Sequence, residues 1–437
     1  MKNVIVLITM LFSFSALSQV TNEWVINQKK RSLRYLLDNI SRNDTPKGFV
    51  VASPSKHSPN YYYHWVRDAA LVMRALDLTI KNRNHLNKLM DDYINLVNHH
   101  QKTHKLTGQG EPKFNPNGTS FKGPWGRPQN DGPALRAFAL GIHALNLIKQ
   151  GKTNYVRAKL YGGKIPANTV IKRDLEYVSH NWKYSDFDLW EEVMGTHFYT
   201  RMAQRSALLI GAKLANKLND GAAASWYLSQ AKQIDNQLNY HFSSQRRYIQ
   251  TTLNRVGGLN YKSSNLDAST ILAVNHVWMP GLSYGPTDSR VIATYEKLVQ
   301  TFKKIYPINK KFKGVAIGRY PEDTYYGGNP WFLLTNAMAE YLKKLSKHLN
   351  KNVKVDSLNN SFYSRHIGYR LNSGNKLSGD ELKVIRKSIR EEAKTFLERV
   401  KTHMGPDGRM DEQLDKFSGH MKGARDLTWS YASFLTI

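Results

Sequence analysis

Apolar side chains return at helical spacing along almost the whole chain. Val72, Ala75, Leu76, Thr79 and Ile80 form an i, i+3, i+4, i+7, i+8 face, and Leu135, Phe138, Ala139, Ile142 and Leu145 follow nearly the same spacing. The period predicts helices near 23–41, 68–82, 86–103, 131–150, 170–181, 197–217, 221–242, 265–278, 288–305, 329–348, 378–403 and 425–437, about twelve in all. Alternating strand patterns are scarce. Only 244–263, with Tyr248-Ile249-Gln250-Thr251-Thr252 and Gly257-Gly258, reads as a short hairpin. The pattern is that of an all-α protein.

Short polar turns alternate with long connections rich in Gly, Pro and aromatic residues, at 44–67, 104–130, 182–196, 306–328 and 404–424. Long ordered loops on a helical scaffold usually carry function. No Ser/Thr/Pro-rich linker, low-complexity block or repeat of fixed period interrupts the pattern, so residues 19–437 read as one domain. With 437 residues, 41% of them hydrophobic, the chain can bury a large core.

The N-terminus follows a different rule. Met1-Lys2-Asn3, the apolar run Val4 to Phe12 and the small residues up to Ser18 have the order of a secretory signal peptide, residues 1–18, cleaved after Ser18. The mature protein is expected to be exported, either secreted or periplasmic, with no membrane span. It has no cysteine, so stability must come from packing and not from disulfides. The net charge of +29 raises a nucleic-acid reading. Lys and Arg are spread along the chain, however, and no nucleic-acid-binding motif accompanies them, so no specific nucleic-acid partner is expected.

In so basic a chain, two acidic segments stand out: Asp188-Leu189-Trp190-Glu191-Glu192 and Asp411-Glu412-Gln413-Leu414-Asp415. Hydrolysis of a glycosidic bond needs one carboxylic acid to protonate the leaving oxygen and one carboxylate to activate water or attack carbon. Two distant segments joined by folding can supply the pair. Other long loops carry side chains suited to sugars: Tyr61-Tyr62-Tyr63-His64-Trp65-Val66-Arg67-Asp68, Gly123 to Pro133, and Gly318 to Trp331. A plainer reading makes these aromatics core, with Asp68 and Asp131 as helix N-caps.

Taken together, the segments resemble the glucoamylases of glycoside hydrolase family fifteen, closest to those of fungi and yeasts. The matching blocks are Tyr63 with Trp65-Val66-Arg67-Asp68, Trp125-Gly126-Arg127-Pro128-Gln129 with Asp131 to Arg136, Leu189 to Val193, Gly318 to Asp323, Asn329-Pro330-Trp331-Phe332 and Ala424 to Ala432. The resemblance runs from about residue 48 to the C-terminus. It implies an (α/α)6 barrel, six inner and six outer helices in alternation, with the pocket in the loops at one end.

By the same resemblance, Glu191 is the general acid and Glu412 the general base of an inverting, exo-acting hydrolase that releases β-D-glucose from α-1,4-glucans. Glu192 beside it and the apolar Trp190 are expected to help keep Glu191 protonated. Arg67 and Asp68 match residues that grip the terminal glucose, and Arg319 and Glu192 match residues that bind hydroxyls around the cleavage point. Tyr61, Trp125 and Trp331 match the aromatic wall, Leu189 offers its backbone carbonyl, and Trp65 and Trp190 are expected to bind substrate with them. No metal or cofactor is implied, and a monomer is expected.

The chain departs from the family pattern at His64, Val66, Met194, His197, Gly327-Gly328 and 417–422, which bears on chain-length preference. The family's starch-binding domain and its fungal disulfides are not expected here. The alternatives are α-1,6-glucan or trehalose hydrolysis on the same scaffold, or a non-catalytic basic glycan-binding protein.

Overall fold

The computed structural model describes residues 20–349 and 353–437, so the segment read as a signal peptide lies outside the described residues. Fourteen helices follow in order: α1 Asn22–Leu37, α2 Val66–Thr79, α3 Arg83–Lys102, α4 Asp131–Lys149, α5 Thr153–Tyr155, α6 Val170–Asn181, α7 Phe198–Lys217, α8 Gly221–Leu238, α9 Ser269–Val277, α10 Ser289–Ile305, α11 Phe332–His348, α12 Asn360–Ile367, α13 Gly379–His403 and α14 Thr428–Leu435. Six of them close a ring. Each of α2, α4, α7, α9, α11 and α14 packs on the next, and α14 returns to α2. Outside it, α3 packs on α2, α6 on α4, α8 on α7, α10 on α9, α13 on α11 and α1 on α14. This is the (α/α)6 barrel expected from the sequence.

The two layers differ in composition because they differ in surroundings. α2 buries almost everything from Val66 to Asp77, α9 nearly all of Ser269 to Val277, and α14 all of Thr428 to Leu435. A helix that is apolar or small all round can sit only inside other helices. The outer α13 instead buries one apolar stripe, Leu382, Ile385, Ile389, Ala393, Phe396, Leu397 and Val400, and turns Lys383, Lys387 and Glu391 to solvent.

Their N-termini differ as well. Side chains cap the outer helices α1 (Thr21), α3 (Asn82), α8 (Asp220), α10 (Asp288) and α13, where Ser378 and Glu381 form a capping box. No N-cap side chain closes the first turn of any of the six inner helices. Backbone carbonyls of the loops accept several of their first amides instead, Val66 on Pro112, Phe198 on Thr251, Phe332 on Glu412 and Thr428 on Ala52, so the positive ends of the dipoles face the loops that carry the segments singled out in the sequence.

Several expectations change in detail. Asp68 and Asp131 are not N-caps: α2 starts at Val66 and α4 at Asp131, so both carboxylates lie in the first helical turn. The hairpin expected over 244–263 is split. Strands β1 His64–Trp65, β2 Lys113–Phe114, β3 Asp186–Phe187 and β4 Val193–His197 precede β5 Phe242–Ser243, β6 Tyr248–Ile249 and β7 Thr252–Gly258. β5 pairs with β6, whereas β7 leaves the hairpin and pairs antiparallel with β4, making a three-stranded sheet β3-β4-β7. That sheet carries the first acidic segment. The short helix α12 and the turn α5, which continues into a π turn over Val156–Leu160, were not foreseen.

Candidate active site

At the end of the barrel where the inner helices begin, a cavity of about 290 Å³ is lined by side chains from the loops before α2, α4, α7, α11 and α14. All twelve residues singled out in the sequence face it: Tyr61, Trp65, Arg67, Asp68, Trp125, Leu189, Trp190, Glu191, Glu192, Arg319, Trp331 and Glu412. Ala52, Gly126, Tyr325, Leu427 and Trp429 join them.

Glu191 stands on a tight turn between β3 and β4. Its N–H donates to the carbonyl of Asp188 at 2.8 Å, and the Asp188 carboxylate accepts the N–H groups of Glu192 and Val193 at 2.7 and 3.0 Å. The turn places Glu191 at φ +67°, a left-handed conformation costly for a residue with a Cβ. Local strain of this kind persists only where the surroundings fix it. Three donors reach the same carboxyl oxygen, Oε1: Trp65 Nε1 at 2.6 Å, Gln129 Nε2 at 3.0 Å and Arg67 Nη2 at 3.5 Å. Oε2 has no partner among the described residues and is the oxygen free to carry a proton toward a leaving group.

The Glu192 carboxylate, expected to act on Glu191, has partners of its own. The Glu192 carboxylate is occupied by Arg319 at 2.8 Å, the Tyr320 hydroxyl at 2.6 Å and Lys262 at 3.8 Å, which offset its charge locally. Lys262 is buried and also meets Asp188 at 3.2 Å and Asp267 at 3.3 Å. Asp267 in turn accepts the Trp190 indole N–H at 3.0 Å. One ammonium thus ties the turn under Glu191 to the start of α9.

Glu412 sits on the last long loop and is fully buried. Its Oε2 accepts from the Ala424 N–H at 3.3 Å and from Gln413 Nε2 at 3.2 Å, while Oε1 is buried with no partner. Burial pushes the carboxyl up to about 7, with Tyr61, Ala424 and Arg319 pulling the other way. A buried carboxylate on the cavity wall, with the Tyr61 hydroxyl beside it, is an acceptor that a water or sugar hydroxyl could use. Gly423, at φ +76°, packs directly against it.

Arg67 and Asp68 fill the wall at the start of α2. Arg67 Nη1 donates to Gln129 Oε1 at 3.0 Å and to Asp131 Oδ2 at 3.1 Å, and its Nε lies 3.5 Å from Asp68 Oδ2. Burial pushes Asp68 up to about 6 despite Arg67. Arg319 is held flat by Asp323, Nε to Oδ2 at 2.8 Å and Nη2 to Oδ1 at 2.6 Å, which leaves Nη1 as its nitrogen without a protein partner among the described residues. Trp190 packs on Trp331 and Trp429, and the partly exposed Trp125 forms the mouth. Trp429 also lines a second cavity of about 560 Å³ at the opposite end of the barrel.

Gln129 and Asp131, which orient Glu191 and Arg67, went unmarked in the sequence although they stand inside a block singled out there. Tyr325, whose hydroxyl meets that of Tyr61 at 2.6 Å, and Lys262 went unmarked too. Among the described residues no group of His, Asp and Glu side chains is arranged to hold a metal ion, and no helix is long and apolar enough to cross a membrane.

A profile of Glycosyl hydrolases family 15 matches residues 28–437. The chain belongs to this family. It is 35% identical to Glucoamylase 1 of Rhizopus oryzae over 97% of its own length and 72% of that protein. It is also 35% identical to a probable glucoamylase of Schizosaccharomyces pombe, over 95% of its own length and 90% of the relative's. Among solved structures, the glucoamylase of Hypocrea jecorina superposes with a TM-score of 0.86 at 32% identity, covering 95% of this chain and 71% of that one. The glucoamylase of Saccharomycopsis fibuligera superposes with a TM-score of 0.85 at 30% identity over 94% of each chain. The family 15 hydrolase described here therefore shares both sequence and architecture with these enzymes.

Proposed function

We propose that this family 15 hydrolase is an exo-acting glucoamylase that removes terminal α-1,4-linked glucose from the non-reducing ends of maltooligosaccharides and starch-type glucans. The observation that carries the reading is the meeting of Glu191 and Glu412, distant in sequence, in one cavity whose remaining polar groups are those suited to sugar hydroxyls. Glu191 protonates the glycosidic oxygen through Oε2. Glu412 takes the proton of a water that attacks the anomeric carbon from the other face, so the product is β-D-glucose. Arg67 and Asp68 grip the terminal glucose, and Arg319 and Glu192 the hydroxyls near the cleaved bond.

Proton NMR of the first product from maltotriose tests the reading. β-Glucose supports it, whereas α-glucose, or maltose released before glucose, overturns inversion or exo-action. Isomaltose and trehalose as parallel substrates separate the linkage alternatives. The leader at residues 1–18 further leads us to propose export, which N-terminal sequencing of the mature protein checks.

A further inference from the structure

Lys113 does not line the cavity, yet the aromatic wall of the cavity closes around its ammonium. It stands opposite Trp65 in the β1–β2 ladder and is 2% exposed. Four rings surround Nζ: Trp125 at 3.2 Å from the centroid, Phe121 at 4.1 Å, Tyr63 at 4.4 Å and Trp65 at 4.7 Å. Its charged neighbours are Glu191 and Arg127, and neither is within ion-pair distance among the described residues. Burial pulls Lys113 down to about 8, so it remains a cation at neutral pH.

An apolar chain of the same length would fill this space without losing the hydration of an ammonium. The charge must therefore act on what surrounds it. A cation over a ring face is drawn to the negative centre of the ring, which restrains ring tilt as well as position. Two of the four rings lead to the chemistry. Trp65 and Trp125 lie 6.1 Å apart between centroids, and the Trp65 indole N–H makes the 2.6 Å hydrogen bond to Glu191 Oε1.

We propose that Lys113 is a positioning residue for hydrolysis: its ammonium fixes the indoles of Trp65 and Trp125, and through Trp65 it orients the carboxyl of Glu191. The inference rests on Glu191 acting as the general acid. A loosened indole lets the carboxyl turn away from the leaving oxygen, which slows the chemical step more than it weakens binding.

The test is Lys113→Met, which keeps the length and removes the charge, assayed on maltotriose beside Trp65→Phe, the double variant and Glu191→Gln. The expected result is an unchanged or higher melting temperature, a fall in kcat of about tenfold or more, a KM within about threefold, and altered near-ultraviolet circular dichroism of the indoles. In the Trp65→Phe background the same substitution should cost less than about threefold, because the relay is already cut. A Lys113→Met kcat within about twofold of wild type, or fully additive losses in the double variant, overturns the proposal. So does a loss of activity that merely follows a lower melting temperature, since the ammonium would then serve the fold. Should Lys113→Met not yield folded protein, Lys113→Gln goes through the same cycle with the same criteria. Glu191→Gln separates the two levels: if it stays active the acid assignment fails, whereas an inactive Glu191→Gln beside an unaffected Lys113→Met removes only the role given to Lys113.

Discussion

Gly423 stands so close to Glu412 that a Cβ built on it would lie 2.3 Å from Oε2 of the carboxylate. The glycine is needed twice over, because its φ of +76° is also one that side chains resist. Gly423→Ala should therefore push the Glu412 carboxyl out of place. We expect a loss of turnover on maltotriose of about 10²-fold, and a destabilisation of roughly 1 to 3 kcal/mol from backbone strain. Paired kinetic and urea-melt measurements check both. An active Gly423→Ala protein would show that Glu412 tolerates displacement and is not the base.

Glu191→Gln and Glu412→Gln should each retain the fold and lose about 10²- to 10⁴-fold in kcat. Gln preserves the acceptor toward Trp65 at position 191, so the first variant removes the proton without opening the wall. Retention of more than about a tenth of the activity in either variant would mark that residue as misassigned.

The pH dependence follows from burial. Glu412 must be ionised to act as a base, and its carboxyl is raised from 4.5 to about 7, while Asp68 is raised from 3.8 to about 6. Activity expressed as kcat/KM should fall as pH drops below about 7. For stability the sign is the reverse. A carboxyl whose folded value is raised favours the fold fully below its unfolded value, and that contribution is lost as pH rises through about 7. Glu412→Gln should therefore melt above wild type at pH 8, by up to roughly 3 kcal/mol, with the difference shrinking toward pH 5. Melting curves at the two pH values decide it.

Asp68→Ala removes an acceptor from the cavity wall at the glycone end. Sugar hydroxyls left unpaired in a buried pocket cost roughly 1 to 3 kcal/mol. The loss in kcat/KM should be equal for maltose and maltoheptaose, since each presents the same terminal glucose. Rescue by the longer substrate would move Asp68 to an outer subsite.

Lys262 holds three carboxylates, Asp188, Asp267 and Glu192, within 3.2 to 3.8 Å. Its replacement by Met leaves Asp188 and Asp267 buried without their ammonium, while Glu192 keeps Arg319. A destabilisation of roughly 3 to 5 kcal/mol is expected, larger at pH 8 than at pH 5, where protonation relieves part of the repulsion. Chemical denaturation at both pH values measures it.

The helical period made the barrel legible because the outer helices bury one stripe, as α13 does with Leu382, Ile385 and Ile389, and the inner helices, buried on nearly every side, still repeat large apolar residues at helical spacing, as α2 does with Val72 and Leu76. Helix starts were less so. At 329, 265 and 425 the apolar pattern begins in the loop, three to four residues ahead of α11, α9 and α14, because pocket aromatics such as Trp331 imitate core positions. The helix α12 is only eight residues long before Gly368 ends it at φ +90°, too short for a period to show. Strand β7 finds its partner about 60 residues away in β4, a pairing no local pattern encodes. Within the site, twelve of the residues that touch the cavity were found through the acidic and aromatic segments and the family resemblance they carry, whereas Tyr325, Leu427 and Trp429 were not. Those that hold them, Gln129, Asp131, Lys113 and Lys262, were not, since a buried Lys or Gln has no signature apart from the neighbours that folding supplies.

The end wall of the cavity has a thickness that can be counted in side chains. Trp429 is the one residue shared by the linings of this cavity and of the larger chamber at the far end of the barrel, so at that point the two are a single residue apart. A blind pocket would make a polymer enter by its tip and stop, as the exo-action proposed above requires. A small residue at 429 would remove the side chain that the two linings share. An alley opened at that end would no longer stop the chain, and on the proposed mechanism the ruler would be lost while Glu191 and Glu412 stayed in place.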